Sequence, residues 1–343
     1  MLFFYLTAQF SYSMSKLALL VGINRYESDD FDDLNCCEAD AEEMDQVLSR
    51  HWSPDENVPG ERNYTNRVIT SGGKRRISAD FLRDEVNNLM SHLMGDGEVL
   101  FYFSGHGVGN KDGGFLVTQD GTKDSPGYPM AELLDAANHS GNTSVVIILD
   151  CCNSGQIGNI TDGDGFNQVS IGPNVTILAA SGAIQKSSEG WKHSLFTQRV
   201  LDALHGGAAD CRGEVSAAAV YAYVEQALGA WEQRPVYKSY ARKLNPIRKC
   251  KPAVPDHVLA RLNEWFPTAD SVYKMDRSYE VSEKEVAVEA HVAIFDQFKL
   301  LRNVHLLAGE NDMDLYWVAL EEKTVHLTPQ GKLFWSRARR GDF

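Results

Sequence analysis

The sequence predicts an α/β fold, with a mostly parallel sheet sandwiched by helices and a small, mainly helical C-terminal domain after it. Three observations lead there. Leu17 to Ile23, Val99 to Phe103 and Val145 to Leu149 are continuous apolar runs, too short for helices and without the alternation of a half-exposed strand. Such runs suit strands buried on both faces. Between them apolar residues recur at helical spacing, and strands that alternate with helices pair in parallel through crossover connections. After about Pro246 that alternation stops, and Lys251-Pro252 and Pro255 break the chain.

Taken in order, the first run ends at Asn24-Arg25-Tyr26, and Ala41, Met44, Val47 and Leu48 then mark a helix within Glu38 to Trp52. Phe81, Val86, Leu89, Met90 and Leu93 mark the next. The run at Val99 leads into Ser104-Gly105-His106-Gly107. A short strand at Phe115 to Thr118 and a short helix at Met130 to Asn138 follow. The run at Val145 leads into Asp150-Cys151-Cys152-Asn153-Ser154-Gly155. Val175 to Ala180 reads as a further strand, 195–204 and 215–228 as helices, and 235–240 as a strand. These elements define a domain over 16–245, preceded by an N-terminal extension over 1–15 and followed by a module over 256–343. That module has helical periodicity at Val258 to Trp265 and Val288 to Leu301. It closes with a helix at Met313 to Leu320, an extended Thr324 to Leu327, and a helix over Gly331 to Arg339 capped by Thr328-Pro329, a winged-helix-like order.

Composition narrows the function. The 343 residues carry a formal charge of −14, which disfavours a general grip on nucleic acid and leaves basic substrates or partners as the better match. Arg337, Arg339 and Arg340 make a basic end, but neighbouring acids weaken its field, so the module is read as contacting protein. The six cysteines include the adjacent pairs Cys36-Cys37 and Cys151-Cys152, which have neither metal-ligand spacing nor the pattern of a disulfide framework, and point to a reducing cytoplasm. Met1 to Phe10 is apolar but lacks a basic n-region and is shorter than the roughly 20 residues of a membrane span.

Both glycine-rich turns follow strands, where open α/β sheets build their sites. Alone, His106 is a turn histidine and Cys152 a small buried hydrophobe. At two neighbouring strand ends they are a base and a nucleophile. Gly105 and Gly107 allow a tight turn that exposes the imidazole, while Gly155 and the turn after Cys152 can aim amide N–H groups at a substrate carbonyl.

At these residues the chain resembles the caspase-like cysteine peptidases (peptidase family C14), and among them metacaspases and bacterial orthocaspases more than animal caspases. Phe103-Ser104-Gly105-His106-Gly107 is similar to the family's histidine motif. Asp150 to Gly155 is similar to its cysteine motif, with His106 ahead of Cys152 by about the fifty residues expected. Asp40-Ala41, Ala180-Ser181 with Gln185 and Glu189, and Phe196-Thr197 extend the likeness over 16–245. The resemblance implies Cys152 rather than Cys151 as nucleophile, His106 as base, and the backbone N–H groups of Gly107 and Cys152 as oxyanion donors. Asn153 stands where metacaspases usually carry His.

A pocket for a basic P1 side chain needs carboxylates, since a guanidinium that loses its hydration must be paired. By resemblance Asp40 and Asp150 form that acid pair and Ser104 is a third pocket position, so cleavage is expected after Arg or Lys. Asp40 also reads as a solvated residue complementing a helix dipole. Asp29, Asp30, Asp32 and Asp33 read as a solvated loop. Asp162-Gly163-Asp164-Gly165 lacks the spacing of an EF-hand, so no metal site is expected, although some metacaspases are calcium-activated. The segment 156–172 is expected to be an activation loop without Lys or Arg, and Lys186 and Lys192 in the next loop are candidate processing sites. The competing expectation is a catalytically silent caspase-like scaffold that binds peptides. In the protease reading the C-terminal module is expected to receive a regulatory partner, in a bacterial stress or defence setting.

Overall fold

The structure is a computed structural model that describes residues 16–91, 97–110, 113–151, 160–161, 167–168, 171–180, 192–228, 234–242 and 245–343. The chain divides into two compact units, Met1–Ala209 with Val215–Cys250, and Asp210–Glu214 with Lys251–Phe343. In order, the first unit contains β1 (Lys16–Gly22), α1 (Cys37–Ser49), β2 (Thr65–Thr70), α2 (Ala79–Ser91), β3 (Glu98–Ser104), β4 (Gly107–Asn110), β5 (Gly113–Val117), β6 (Gly127–Pro129), α3 (Met130–His139) and β7 (Ser144–Asp150). It continues through β8 (Ile160–Thr161), β9 (Asn167–Gln168), β10 (Val175–Ala179), α4 (Leu195–Asp202), β11 (Glu214–Val215, of which only Val215 belongs to this unit), α5 (Ala217–Gln226), β12 (Val236–Ser239) and β13 (Arg248–Lys249).

Six strands form one sheet in the order β12-β10-β7-β3-β1-β2, parallel except for the antiparallel β12 at one edge. The apolar runs are the central strands, and their alternate residues feed two cores. Leu19, Val21, Phe101, Phe103, Ile147 and Leu149 pack with α2 and α3 on one face. Leu20, Leu100, Tyr102 and Ile148 pack with α1, α4 and α5 on the other. Edge strand β2 was not foreseen from the sequence: Thr-Asn-Arg-Val-Ile-Thr is half exposed, with Ile69 alone buried, and has no apolar run.

The register places Gly22, Ser104 and Asp150 in one row across the carboxyl ends of β1, β3 and β7. Gly22 has a steric reason to lack a side chain: a Cβ there would stand 2.2 Å from the carbonyl oxygen of Cys37. The first turn of α1 therefore seats directly on the end of β1, and Asp40, in that turn, is carried over the row.

The second unit holds α6 (Asp256–Leu259), α7 (Leu262–Trp265), β14 (Val272–Lys274), α8 (Glu289–Asn303), β15 (Leu307–Gly309), α9 (Leu315–Leu320), β16 (Thr324–Leu327) and α10 (Pro329–Arg340). Its core includes Trp265, Phe266, Phe295, Phe298, Phe334 and Trp335. Thr328 caps α10 by accepting from the Gly331 N–H at 3.0 Å, with Pro329 opening the helix. The three-residue strands β14 and β15 flank β16 in an antiparallel sheet, so the helix, strand, helix order read from the sequence is joined by two strands too short to show a period.

Candidate active site

His106 stands just past β3, which pairs with β7 so that Ser104 lies opposite Asp150, and the Gly105 N–H donates to the Asp150 carbonyl at 3.2 Å. The turn carrying the imidazole and the one entering the cysteine motif are thus neighbours. Gly105 is needed for a close approach: a Cβ there would lie 2.9 Å from the Phe103 ring and 3.0 Å from the Tyr26 hydroxyl. That hydroxyl accepts from the His106 N–H at 2.8 Å and donates to the Ile23 carbonyl at 3.2 Å. Burial pushes its pKa up, so it stays a neutral donor.

The His106 ring lies against Tyr26, with centroids 4.9 Å apart, and against Phe31 at 5.9 Å. Its Nε2 is 2.8 Å from the backbone carbonyl of Asp32. A carbonyl only accepts, so Nε2 must carry the hydrogen and Nδ1 is left as the proton acceptor. Once Nδ1 takes a proton, the same carbonyl stabilises the imidazolium. The acidic loop expected to be merely solvated therefore has a structural task. Asp33 pairs with Arg25 at 2.6 Å and accepts from the Tyr26 N–H at 3.1 Å, shaping the loop that presents the Asp32 carbonyl. No side-chain signal could reveal a contact made by a main-chain oxygen.

Asp40 and Asp150 are both buried, at 0% and 2% exposure, which overturns the solvated-helix reading of Asp40. Ser104, also buried, donates to Asp40 Oδ2 at 2.9 Å. On Oδ1, Asp40 is met by His193 Nδ1 at 2.9 Å and the Ser194 N–H at 3.3 Å. The Ser194 hydroxyl donates to Asp150, and so does Thr197 at 2.6 Å, itself 2.6 Å from the Tyr102 hydroxyl. Ser194 is the N-cap of α4, accepting from the Thr197 N–H at 3.0 Å. One helix start thus holds Asp150 and links it to Asp40. The sequence reading missed His193 and Ser194; Ser194, three residues before Thr197 and just ahead of a helical run, was a readable capping signal.

Burial first, and then the charge of Asp40, push the Asp150 pKa up from 3.8 to about 6, against the hydrogen bonds from Ser194 and Thr197. Between about pH 4 and 6 the folded state holds this proton and the unfolded state does not, so stability falls as pH rises through that window. Above it a penalty of about 3 kcal/mol persists. Asp150→Asn is therefore expected to raise the melting temperature clearly at about pH 7.5 and little at about pH 4.5. Equal shifts at both values, by calorimetry, would contradict it.

Cys152, Gln185 and Glu189, the segment 152–159, the Asp162 and Asp164 pair, and Lys186 lie outside the described residues. Gly107 opens β4 and is buried. Lys192 pairs with Glu43 at 2.6 Å. No helix of the described residues is long and apolar enough to cross a membrane.

No curated relative matches the sequence. Among solved structures, the Geobacter sulfurreducens protein GSU0716 is similar at 16% identity and a TM-score of 0.47, over 69% of this chain and 100% of that one. The structure of pro-sf-caspase-1 is similar at 11% identity and a TM-score of 0.45, over 68% and 94%. The family model of the caspase domain, Peptidase_C14, matches residues 15–246, well over half of the chain. With the parallel sheet and its flanking helices in the same region, the chain belongs to the caspase domain family, whose members are generally cysteine peptidases.

Proposed function

We propose that this chain is a cysteine endopeptidase that cleaves proteins after Arg or Lys, with Cys152 as nucleophile and His106 as general base. The observation that carries the reading is the buried pair Asp40 and Asp150 beside the His106 turn, with no Lys or Arg in an ion pair with either among the described residues. Two carboxylates kept from water without a permanent cation favour a ligand that brings one, and a P1 guanidinium or ammonium does so.

His106 Nδ1 takes the Cys152 proton and the thiolate attacks the scissile carbonyl carbon. The oxyanion is met by the N–H groups of Gly107 and Cys152. The imidazolium gives its proton to the departing amine as the C–N bond breaks. Water, deprotonated by His106, then hydrolyses the thioester and restores the thiol. In this reading the chain works in the cytoplasm as a regulated stress or defence effector, and the second unit receives a protein partner. Exposed Tyr316 and Trp317 on α9 support that contact, and the net charge argues against nucleic acid.

A fluorogenic Arg-peptide is expected to be cut by the parent protein and not by Cys152→Ala, with an Asp-peptide left intact by both. If the folded parent binds the peptide but turns none over at any calcium concentration, the silent scaffold replaces the protease.

A further inference from the structure

Cys36 and Cys37 open α1 with both side chains buried, at 3% and 0% exposure. Their sulfurs and one carboxylate oxygen of Asp40 all lie within 4.8 Å of one another. His193, 6% exposed, stands outside that group of three but places its Nδ1 2.9 Å from Asp40 Oδ1. Two thiols, a carboxylate and an imidazole are the donor types that take zinc tetrahedrally. Such a site sets neighbouring donor atoms about 3.3 to 3.8 Å apart, within the span seen here. Adjacent buried thiols are often simple packing groups. These two converge on a buried carboxylate instead, and that carboxylate shares Ser194 with the second buried acid, Asp150.

We propose that Cys36, Cys37 and Asp40, completed by His193, bind a thiophilic divalent cation such as zinc. Resting on the function proposed above, we further infer that the metal closes the basic pocket, since it engages the same Asp40 that a P1 cation needs. Binding places two sulfur–metal bonds where two S–H bonds were, and both protons leave to solvent. To complete the site the His193 imidazole must turn from Asp40 toward the sulfurs.

The test uses the full chain carrying Cys152→Ala, which removes the other thiol able to pair with His106. Titrated with zinc against a chromophoric chelator, it is expected to bind one equivalent. With cobalt it is expected to show thiolate charge-transfer absorption in the near ultraviolet. Adding Cys36→Ser and Cys37→Ser is expected to abolish the band and weaken zinc by more than about 100-fold, because even loss of an outer-shell partner weakens such sites 10- to 100-fold. If that variant does not fold, His193→Gln on the same background is expected to weaken zinc by about tenfold or more. Absence of stoichiometric binding, or affinity unchanged in the folded serine variant or in His193→Gln, overturns the site. Agmatine, an alkyl guanidinium, is expected to weaken zinc binding. If Arg-peptides are cut and agmatine leaves zinc binding untouched, the shared acid is wrong. If zinc binds as expected while Arg-peptides are never cut, the protease reading fails and the metal site stands.

Discussion

His106→Ala is expected to lower kcat/KM on an arginyl peptide by about 10²- to 10⁴-fold, the range general acid–base groups contribute, with the melting temperature nearly unchanged. The ring is only partly buried, so its removal leaves a modest cavity. What is lost is chemical. The Asp32 carbonyl fixes the hydrogen on Nε2, and Tyr26 and Phe31 hold the ring plane, so the lone pair on Nδ1 is oriented before substrate arrives. Alanine provides no acceptor for the thiol proton and no donor for the leaving amine. Added imidazole is expected to restore part of the rate. A loss below about tenfold in a correctly folded variant would point to a different base.

The second large effect lies in the pocket. Asp40→Asn and Asp150→Asn are each expected to lower kcat/KM for Arg-peptides by about 10² to 10³, carried mainly by KM, because a buried cation left without its partner loses about 2 to 5 kcal/mol. The two substitutions separate by pH. Asp150 starts from a pKa near 6, so in the parent a P1 cation must draw out the remaining proton as it binds, and KM is expected to rise as pH falls below about 6. In Asp150→Asn that rise is expected to flatten, since no proton is left to lose at that position. Cleavage after neutral P1 residues at the parent rate in both variants, with Arg-peptides unaffected, would remove the acid pair from the specificity.

Much of this architecture was legible because burial on two faces leaves a plain mark. The strands at Leu17, Val99, Val145 and Val175 have apolar runs that admit no other reading. The polar turns after two of them fall where the register later aligns Ser104 with Asp150. Edge strand β2 left no such mark, since one face and one side of it meet water. At the candidate site, His106 was singled out by its residue type and its place after a strand, and Asp40 and Asp150 by the family resemblance. The Asp32 carbonyl was not, because every residue has one. His193 was passed over because it follows no strand and sits in no motif, and only the fold brings it, from 153 residues away in the chain, to Asp40.

The bare α-carbon at position 22 has an effect beyond packing. Because the first helical turn rests against it backbone to backbone, the main chain sets where Asp40 stands before Ser104 and His193 hold its carboxylate. A single methyl group there would lift that turn away from the strand end and draw the acid out of its socket. If Asp40 receives the P1 cation as proposed, substrate preference rests partly on Gly22, a residue without a side chain.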